Sequence, residues 1–371
     1  MGTTMTNVDT EVRSRARAAI ATWFEDPEHR PVPDAWLRGF EPEFSRLLSR
    51  EGLIGVSWPT EYGGGGRSNV DRLAVTEELL RAGAPSAAHW SSERQIGPAL
   101  MRLGTPEARE ELLPKIISIE AIFCLGMSEL QAGSDLAAVE TTATRVDGGW
   151  LINGTKMWTG HAHRATHAYV LARTSQEDRK HRGLSEFLVD MDPATITVTP
   201  IINIAGEHRF NRVDFRDAFV PDYRLLGVEG NGWRQVVEQL SFERGGSERY
   251  LSSYLLFSEM LRRAALDGSG SLDPMIGDLT QRLAVLRQLA LDVAGSLDAG
   301  EAPVKSAAAL KLLGNQFEID VIEGFRRCAG PQDAERLSDF AVSLQSSPGF
   351  ELRGGAVEVL LSIIAREEAR S

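Results

Sequence analysis

The chain has 371 residues, of which 42% are hydrophobic and 25% are charged. This composition is ordinary for a globular protein with a large core, and the length suggests two or three domains or one large layered fold. Acidic residues outnumber basic ones by 52 to 40, and the resulting net charge of −12 disfavours non-specific binding to nucleic acid.

Two cysteines, Cys124 and Cys328, are too few for a disulfide framework, and they form no zinc-binding motif. The N-terminus lacks the apolar core of a signal peptide, although Gly2 and Thr6 fit the loose myristoylation pattern. No run of about 18 apolar residues is present, so no membrane span is expected. These features predict a protein of the reducing cytoplasm.

The first part of the chain, residues 1–120, is predicted to be a helical domain. Helical patterns occupy "VRSRARAAIATWFE" and "DRLAVTEELLRAGA". Thr105 is a candidate N-cap with Pro106 at the first helical position, which predicts a third helix start.

The apolar period changes near residue 121, and residues 121–230 are predicted to form an antiparallel β domain, either a barrel or a sandwich. Gly148-Gly149 and Asn153-Gly154 are both expected to be hairpin turns.

Residues 231–371 are predicted to form a C-terminal helical domain. Four long helical patterns with short connections favour a four-helix bundle, and the most flexible-looking connection is "DGSGSLDP" at 267–274. The four predicted helices are 232–266, 274–299, 303–329 and 356–370.

An apolar stripe in the first of these helices is interrupted by an acid. Glu243 and Ser247 lie in the middle of the stripe, which is otherwise apolar above and below. The residue pattern leaves two interpretations open: a buried carboxylate neutralised by an arginine such as Arg244, or a desolvated base. The stripe consists of Val236, Leu240, Glu243, Ser247, Leu251 and Tyr254.

Three other motifs have a structural alternative. The loop "YGGGGRS" at 62–68 lacks the Lys-Ser/Thr of a phosphate loop, so a plain turn is favoured over nucleotide binding. His161, His163 and His167 lack a carboxylate or cysteine at ligand spacing, so polar strand-end residues are favoured over a metal site. The glycines of "ELRGGAVEVLLSIIARE" at 351–367 precede an apolar helix, where free N–H groups could polarise a carbonyl or the turn could be purely structural.

Two further segments could approach a planar ligand. Gly133 and Ser134 offer a small-residue turn with amide and hydroxyl donors. Trp158 could be a core residue or the floor of a ligand site.

The order and spacing of five segments resemble the acyl-CoA dehydrogenase family over nearly the whole chain. The resemblance implies an α+β fold with an N-terminal helical domain, a middle antiparallel β domain and a C-terminal four-helix bundle. The matching segments are "LSREGLIGVSWPTEYGGGG", "FCLGMSELQAGSD" with "INGTKMWTG", "GLSEFLVDM", "RFNRVDFRDAFVPDYRLLGVEGNGW", and "LSFERG" with "LRGGAVEVLLSIIARE".

This resemblance implies an enzyme that oxidises an acyl-CoA thioester between Cα and Cβ. A glutamate removes the α-proton while the β-hydride passes to N5 of FAD. Most members carry this base just before the last helix, where this chain has Gly354; others, some steroid-type members included, carry it in the first bundle helix, where this chain has Glu243. Gly354 would instead donate its backbone N–H to the thioester oxygen.

The resemblance also assigns contacts to the flavin and to the substrate. Arg244 is implied in binding the CoA moiety, and Ser134 is implied in contacts to both flavin and substrate. The small residues Gly245, Gly246 and Ser247 suggest room for a bulky acyl group such as a steroid side chain. The implied flavin contacts are Met127, Ser128, Gly133, Ser134, Trp158, Thr159 and Gly160, where Gly160 replaces the usual Thr or Ser near N5.

Two segments depart from the family pattern. The segments that hold the adenine side of a neighbour's FAD in homotetramers have no match in "DGSGSLDPMIGDLTQR" or "FRRCAGPQD". The chain therefore resembles one subunit of the actinobacterial two-plus-two heterotetramers that act on steroid side-chain CoA esters, with a homologous partner subunit. An electron-transfer flavoprotein is the acceptor that the family implies.

Two alternatives remain open. The chain could be a non-catalytic partner of a heteromeric dehydrogenase, which the presence of Glu243 disfavours. It could also be a flavin oxidase or monooxygenase on the same fold. No metal is expected for the catalytic subunit, for the non-catalytic partner or for the oxidase or monooxygenase.

Overall fold

The computed structural model describes residues 10–266, 274–328 and 334–369, and at Thr10, 240–243 and 334–336 it describes the backbone only. Within these ranges the N- and C-terminal parts are helical and the middle is a sheet. The predicted α+β fold class is confirmed. No described helix has the length and apolar character that a membrane crossing requires.

The N-terminal helices begin where the local sequence caps them. Ser68 and Asp71 form a reciprocal capping box at the start of α4. The Thr105 side chain accepts a hydrogen bond from the Ala108 N–H, 3.1 Å away, at the start of α7, so the predicted cap is confirmed. The helices are α1 (Thr10–Trp23), α2 (Ala35–Arg38), α3 (Pro42–Arg50), α4 (Asn69–Arg81), α5 (Ala87–Ser91), a π-helical turn (Ser92–Ile96), α6 (Gly97–Leu103) and α7 (Pro106–Ile117).

The middle part forms one eight-stranded sheet in the order β6-β7-β3-β2-β4-β5-β8, with β1 paired to β4. Most neighbours are antiparallel, while β1 and β2 pair with β4 in parallel. Side chains such as Trp150, Phe187 and Phe215 alternate inward and form a buried apolar cluster. The strands are β1 (Phe123–Gly126), β2 (Thr142–Val146), β3 (Gly149–Gly160), β4 (His167–Arg173), β5 (Leu184–Asp190), β6 (Ile196–Ile202), β7 (His208–Pro221) and β8 (Leu225–Leu226).

Of the two predicted hairpin turns, one is shifted and one is wrong. The β2–β3 hairpin turns through Asp147-Gly148, because Val146 pairs with Gly149. Asn153-Gly154 lies inside β3, where the register with β7 shifts between Ile152 and Gly154. Gly154 has φ +148°, and its missing side chain lets Thr141 pack against the backbone. The glycine therefore forms a bulge instead of a turn.

The C-terminal part is helical, as predicted, but the first predicted helix is interrupted. Helix α8 ends at Glu243, a 3₁₀ turn covers Ser247–Arg249, and α9 begins at Tyr254. Two consecutive glycines, Gly245 and Gly246, disfavour helix continuation, so the predicted stripe from Val236 to Tyr254 does not lie on one helix. The helices are α8 (Gly232–Glu243), α9 (Tyr254–Leu266), α10 (Pro274–Asp298), α11 (Val304–Cys328), α12 (Ala334–Leu352) and α13 (Val357–Glu368).

Helix α12 is absent from the four predicted helices. Its sequence contains Pro348 and several serines, which favour turns over helix. Packing outweighs this preference: the Phe340 ring stacks on Phe325 of α11 with 5.9 Å between centroids. The predicted flexible connection at 267–274 lies outside the described residues except for Pro274.

Two compact units emerge from the contacts within the chain. One comprises residues 1–57, 65–87 and 241–371, and the other comprises 58–64 and 88–240. The second unit contains the whole sheet. The predicted domain boundaries at 120 and 230 stay a prediction.

Candidate functional site

The unit that contains the sheet holds the predicted Met127–Ser134 segment against the end of β3. The Met157 N–H donates to the Ser128 carbonyl at 2.8 Å. The Lys156 ammonium donates to the Met127 carbonyl at 3.1 Å. Two segments separated by about thirty residues in sequence therefore lie side by side.

A buried ion pair fastens this arrangement. Lys156 Nζ lies 2.8 Å from Glu129 Oε1, and both side chains are buried. Burial lowers the pKa of Lys156 to about 8, although the Glu129 carboxylate partly offsets this. Burial alone would raise the pKa of Glu129, but the Lys156 charge and the hydrogen bonds to the carboxylate outweigh it, so the pKa is lowered. Both groups are therefore charged at neutral pH.

Glu129 also shapes the loop that carries Gly133 and Ser134. Its carboxylate accepts the backbone N–H groups of Glu140 at 2.7 Å and Thr141 at 3.0 Å. Gly133 and Ser134 themselves are exposed. A Cβ built at Gly133 would meet no atom within 4 Å, so the loop leaves open space at this position.

Trp158 has an unusual backbone conformation. It has φ +58°, which is rare for a bulky residue, and its side chain is 57% exposed. The register of β3 with β7 shifts between Lys156 and Thr159, and this irregularity turns the indole outward. Strained backbone residues cluster at ligand sites, so Trp158 is a candidate ligand contact.

The two residues that follow Trp158 differ in environment. Thr159 is buried, and its hydroxyl has no hydrogen-bond partner within the described chain. The Thr159 carbonyl accepts from Asn211 Nδ2 at 3.0 Å. A Cβ built at Gly160 would meet no atom within 4 Å. The exposed indole, the orphaned hydroxyl and the open space at Gly160 fit a planar, polar cofactor such as a flavin ring.

The other unit contains the position of the predicted base. Glu243 is the last residue of α8, but its side chain lies outside the described residues. The following residue, Arg244, is buried, and its Nε donates to the Gly354 carbonyl at 2.9 Å. The residue that follows the predicted base is thus in direct contact with the turn that precedes α13.

The turn before α13 requires glycine. Gly354 has φ +75° and Gly355 has φ +111°, a region that other residues rarely adopt. Ala356 precedes the first turn of α13 and makes no side-chain capping bond. The turn is anchored by Arg353, which forms a bidentate ion pair with the buried Asp34 at 2.8 and 2.9 Å.

The small residues after Glu243 are closely packed. A Cβ at Gly245 would lie 2.6 Å from Val293, and Ser247 is buried with its hydroxyl donating to Thr76. Their size therefore serves internal packing, and it does not support the expected room for a wide substrate.

The two remaining motifs make contacts within the sheet-containing unit. In the 62–68 loop, a Cβ at Gly64 would lie 2.4 Å from the Trp58 carbonyl, so the backbone is tightly packed there. His163 stacks on His208 at 3.9 Å, whereas His167 contacts Asp190 at 3.1 Å. Among the residues that the structure describes, no group of three or more His, Cys, Asp or Glu is arranged to hold a metal ion.

Lys156 and Glu129 are site residues that sequence reasoning did not single out. Lys156 occupies an inward position of β3, on the buried side of the strand. A lysine in such a position needs a charged partner, which is the signal that could have identified the pair.

Comparison with known proteins identifies the family of the chain. Family models of acyl-CoA dehydrogenase match the chain with the N-terminal domain at 10–120, the middle domain at 124–218 and the C-terminal domain at 230–368. The acyl-CoA dehydrogenase FadE29 of Mycobacterium tuberculosis is 31% identical over 336 residues, 86% of each chain.

Two further proteins are similar. Acyl-CoA dehydrogenase IpdE1 of Mycobacterium tuberculosis is 38% identical over 255 residues, 66% of this chain and 64% of that protein, so the chain spans slightly less than two thirds of its length. The solved Tcur3481-Tcur3483 steroid ACAD is 26% identical, with a TM-score of 0.85 over 98% of this chain and 97% of that chain. The chain therefore belongs to the acyl-CoA dehydrogenase family.

Proposed function

We propose that this chain is the base-carrying subunit of a heteromeric acyl-CoA dehydrogenase that acts on bulky acyl-CoA thioesters. One observation carries the proposal. The turn 353–356 reads Arg-Gly-Gly-Ala and has no carboxylate of its own, and Arg244, next to Glu243, is bonded to it. A base is then available from α8 at the position that some family members use.

Glu243 would remove the α-proton of the thioester. A positioned general base contributes about a hundredfold to ten-thousandfold to the rate. The bound FAD would accept the hydride from Cβ. The pKa of the α C–H must fall for the transfer to occur, so the carbonyl oxygen of the thioester needs donors.

Gly354 is the proposed donor to that oxygen. The glycine turn presents backbone N–H groups just before α13, and donors aimed at developing charge contribute roughly 3–4 kcal/mol each. We further propose Arg244 for the CoA moiety. Its bond to the Gly354 carbonyl would then link substrate binding to the shape of the turn.

In the unit that contains the sheet, two neighbouring segments make the proposed flavin contacts. The Lys156–Glu129 pair holds them together. Trp158 offers its exposed indole, and the Thr159 hydroxyl lacks a partner in the described chain. The proposed flavin-contacting residues are Met127, Ser128, Gly133, Ser134, Trp158, Thr159 and Gly160.

The substrate and partner proposals rest on similarity. The Tcur3481-Tcur3483 protein is a steroid ACAD named for two chains, and it is 26% identical to this one. We propose a steroid side-chain thioester as the substrate class, a homologous second subunit in a two-plus-two assembly, an electron-transfer flavoprotein as acceptor and the cytoplasm as location.

Activity of the assembled complex tests the base. The chain is co-expressed with a homologous partner, and bleaching of the flavin absorbance is followed after addition of short, medium and steroid CoA esters. Glu243→Gln is expected to retain flavin and bind the ester but to lose bleaching by at least a hundredfold. Glu238→Gln is the control, because Glu238 lies on the same helix in an exposed pair with Arg102. Full activity in Glu243→Gln would eliminate the proposed role.

The same preparations separate the alternatives. If the partner alone bleaches as fast as the complex, this chain is a non-catalytic subunit. If hydrogen peroxide accumulates without an added acceptor, the oxidase alternative holds. Purified alone, the chain is expected to hold FAD poorly; a homotetramer with one FAD per subunit would refute the heteromeric proposal.

A further inference from the structure

A buried polar cluster lies between α8 and the sheet. Glu186 of β5 is fully buried, and Gln235 Nε2 of α8 donates to its carboxylate at 2.7 Å. Gln239 Nε2, one helical turn further along, lies 3.3 Å from the same carboxylate oxygen and also donates to the Tyr169 hydroxyl of β4. The Tyr169 hydroxyl in turn interacts with Glu186.

The cluster is unusual because an apolar contact would suffice to dock a helix on a sheet. A buried carboxylate is unfavourable unless its oxygens accept hydrogen bonds. Burial raises the pKa of Glu186 to about 7, despite the hydrogen bonds from Tyr169, Gln235 and Gln239 that favour the charged form. Directional bonds of this kind fix both the rotation and the axial position of α8, which apolar packing does less strictly.

Helix geometry connects this cluster to the position of Glu243. Positions 235, 239 and 243 are each four residues apart, so they form one row along α8. Glu243 is also the last residue of the helix, and terminal turns fray more readily than helix interiors. The Arg244 bond to Gly354 fastens the residue after the helix end, and an anchor one turn earlier would additionally hold the last turn of α8 in register.

We infer that Glu186 is a positioning residue, which holds Gln235 and Gln239 and thereby sets the register of α8 at Glu243. The inference rests on the proposed role of Glu243 as the base. Misplacement of a catalytic group by about 1 Å can reduce the rate a hundredfold, so loss of the anchor affects turnover more than substrate binding.

The test uses the assembled complex, three variants of the cluster and one control variant. Glu186→Leu removes the acceptor, and Gln239→Leu removes the donor nearest to Glu243. Both are expected to lower kcat at least tenfold with KM within twofold of wild type, and to shift the pKa seen in the pH profile of kcat. Glu186→Gln keeps an acceptor oxygen and is expected to restore kcat to within about threefold of wild type. Val237→Ala, on the half-exposed face of α8, is the control and is expected to match wild type.

Amide hydrogen exchange provides a second readout that does not require turnover. Glu186→Leu is expected to increase the exchange rate of amides 239–243 at least tenfold, while amides of α7 keep their wild-type rates. Unchanged exchange at 239–243 would overturn the inference, and so would equal effects of Glu186→Leu and Glu186→Gln on kcat. If wild type shows no turnover, the proposed function fails, and the exchange result still decides whether Glu186 anchors the end of α8.

Discussion

Arg244 Nε donates a hydrogen bond of 2.9 Å to the carbonyl of Gly354, and it thereby ties the end of α8 to the turn before α13. The two residues are 110 positions apart in sequence. The contact places the residue after Glu243 against the proposed carbonyl-polarising turn, so changes in the turn are expected to affect both stability and catalysis.

The first prediction concerns Gly355→Ala. Gly355 has φ +111°, and an added Cβ would lie 3.4 Å from Arg244 Nη2. The substitution is expected to lower the free energy of unfolding by about 1–3 kcal/mol, because it forces a strained backbone beside a buried guanidinium. Chemical denaturation measures the change.

Gly295→Ala is the matched control for this prediction. Gly295 lies in α10, and an added Cβ would meet no atom within 4 Å. Alanine is a better helix former, so this variant is expected to gain about 0.5–1 kcal/mol. Equal stability of the two variants would contradict the account of the turn.

The second prediction concerns the anchor of the same turn. Arg353→Met leaves the buried Asp34 carboxylate without its guanidinium and removes the packing of that guanidinium against Trp36 and Phe350. A loss of about 3–5 kcal/mol is expected in denaturant unfolding, because removing one partner of a buried ion pair is strongly unfavourable. Arg353→Lys is expected to fall between wild type and Arg353→Met, since lysine cannot form the bidentate pair.

A surface pair supplies the comparison for Arg353. Arg326 also binds a carboxylate through two nitrogens, at 2.7 Å each to Glu323, but both side chains are exposed. Arg326→Met is expected to change stability much less than Arg353→Met does, because solvent screens an exposed ion pair. A large loss at Arg326, or a small one at Arg353, would mean that burial does not govern these pairs.

The third prediction compares two glycines of β3. Gly160→Ser is expected to change the free energy of unfolding by less than about 0.5 kcal/mol, because a Cβ there meets open space. The added hydroxyl restores the group that the family resemblance expects near the flavin, so FAD dissociation from the complex is expected to slow. Flavin fluorescence after dilution measures the rate of release.

Gly154→Ser is the control on the same strand. Gly154 has φ +148°, and an added Cβ would lie 2.5 Å from the Thr141 hydroxyl and 2.7 Å from its Cα. A loss of at least about 2 kcal/mol is expected from the clash and the strain. Faster release of FAD from Gly160→Ser than from wild type would argue against the flavin lying at the end of β3.

The fourth prediction is a pH dependence that originates at Glu318. Its carboxylate accepts the N–H groups of Ser252 at 2.6 Å and Ser253 at 2.7 Å, but burial dominates and raises its pKa to about 7. The folded state therefore retains a proton between pH 4.5 and 7 that the unfolded state has lost. Stability is expected to fall as pH rises through this window, by about 3 kcal/mol from this group.

Glu318→Gln does not titrate, so its free energy of unfolding should fall less between pH 5 and 8 than that of wild type. The raised pKa of Glu186 leaves a second contribution of the same sign in both proteins. Glu323→Gln is the control, because hydrogen bonds from Arg326 and Arg327 lower the pKa of Glu323 to about 2, below the measured window. Parallel pH curves for wild type and Glu318→Gln would show that Glu318 is ionised throughout.

Local signals predict the fold well where the chemistry is local. The Thr105 cap with Pro106 marks the start of α7, and the change from helical to alternating period marks the sheet. Local signals fail where packing against a residue distant in sequence determines the local structure. Asn153-Gly154 has the composition of a turn, but Thr141 packs against the glycine and makes it a bulge. Helix α12 contains Pro348, yet it is held by aromatic packing on α11.

The sequence alone determined the family, the order of helical and sheet segments, and the candidate positions Glu243, Gly354 and Trp158, because caps, periodicity and motif spacing are properties of neighbouring residues. Only the tertiary structure decided that Lys156 neutralises Glu129, that Arg244 contacts Gly354 and that Glu186 binds the row of glutamines on α8. Each of these pairs joins residues far apart in sequence. Hydrogen-bond distances between such residues depend on how the chain packs, which one-dimensional spacing does not encode.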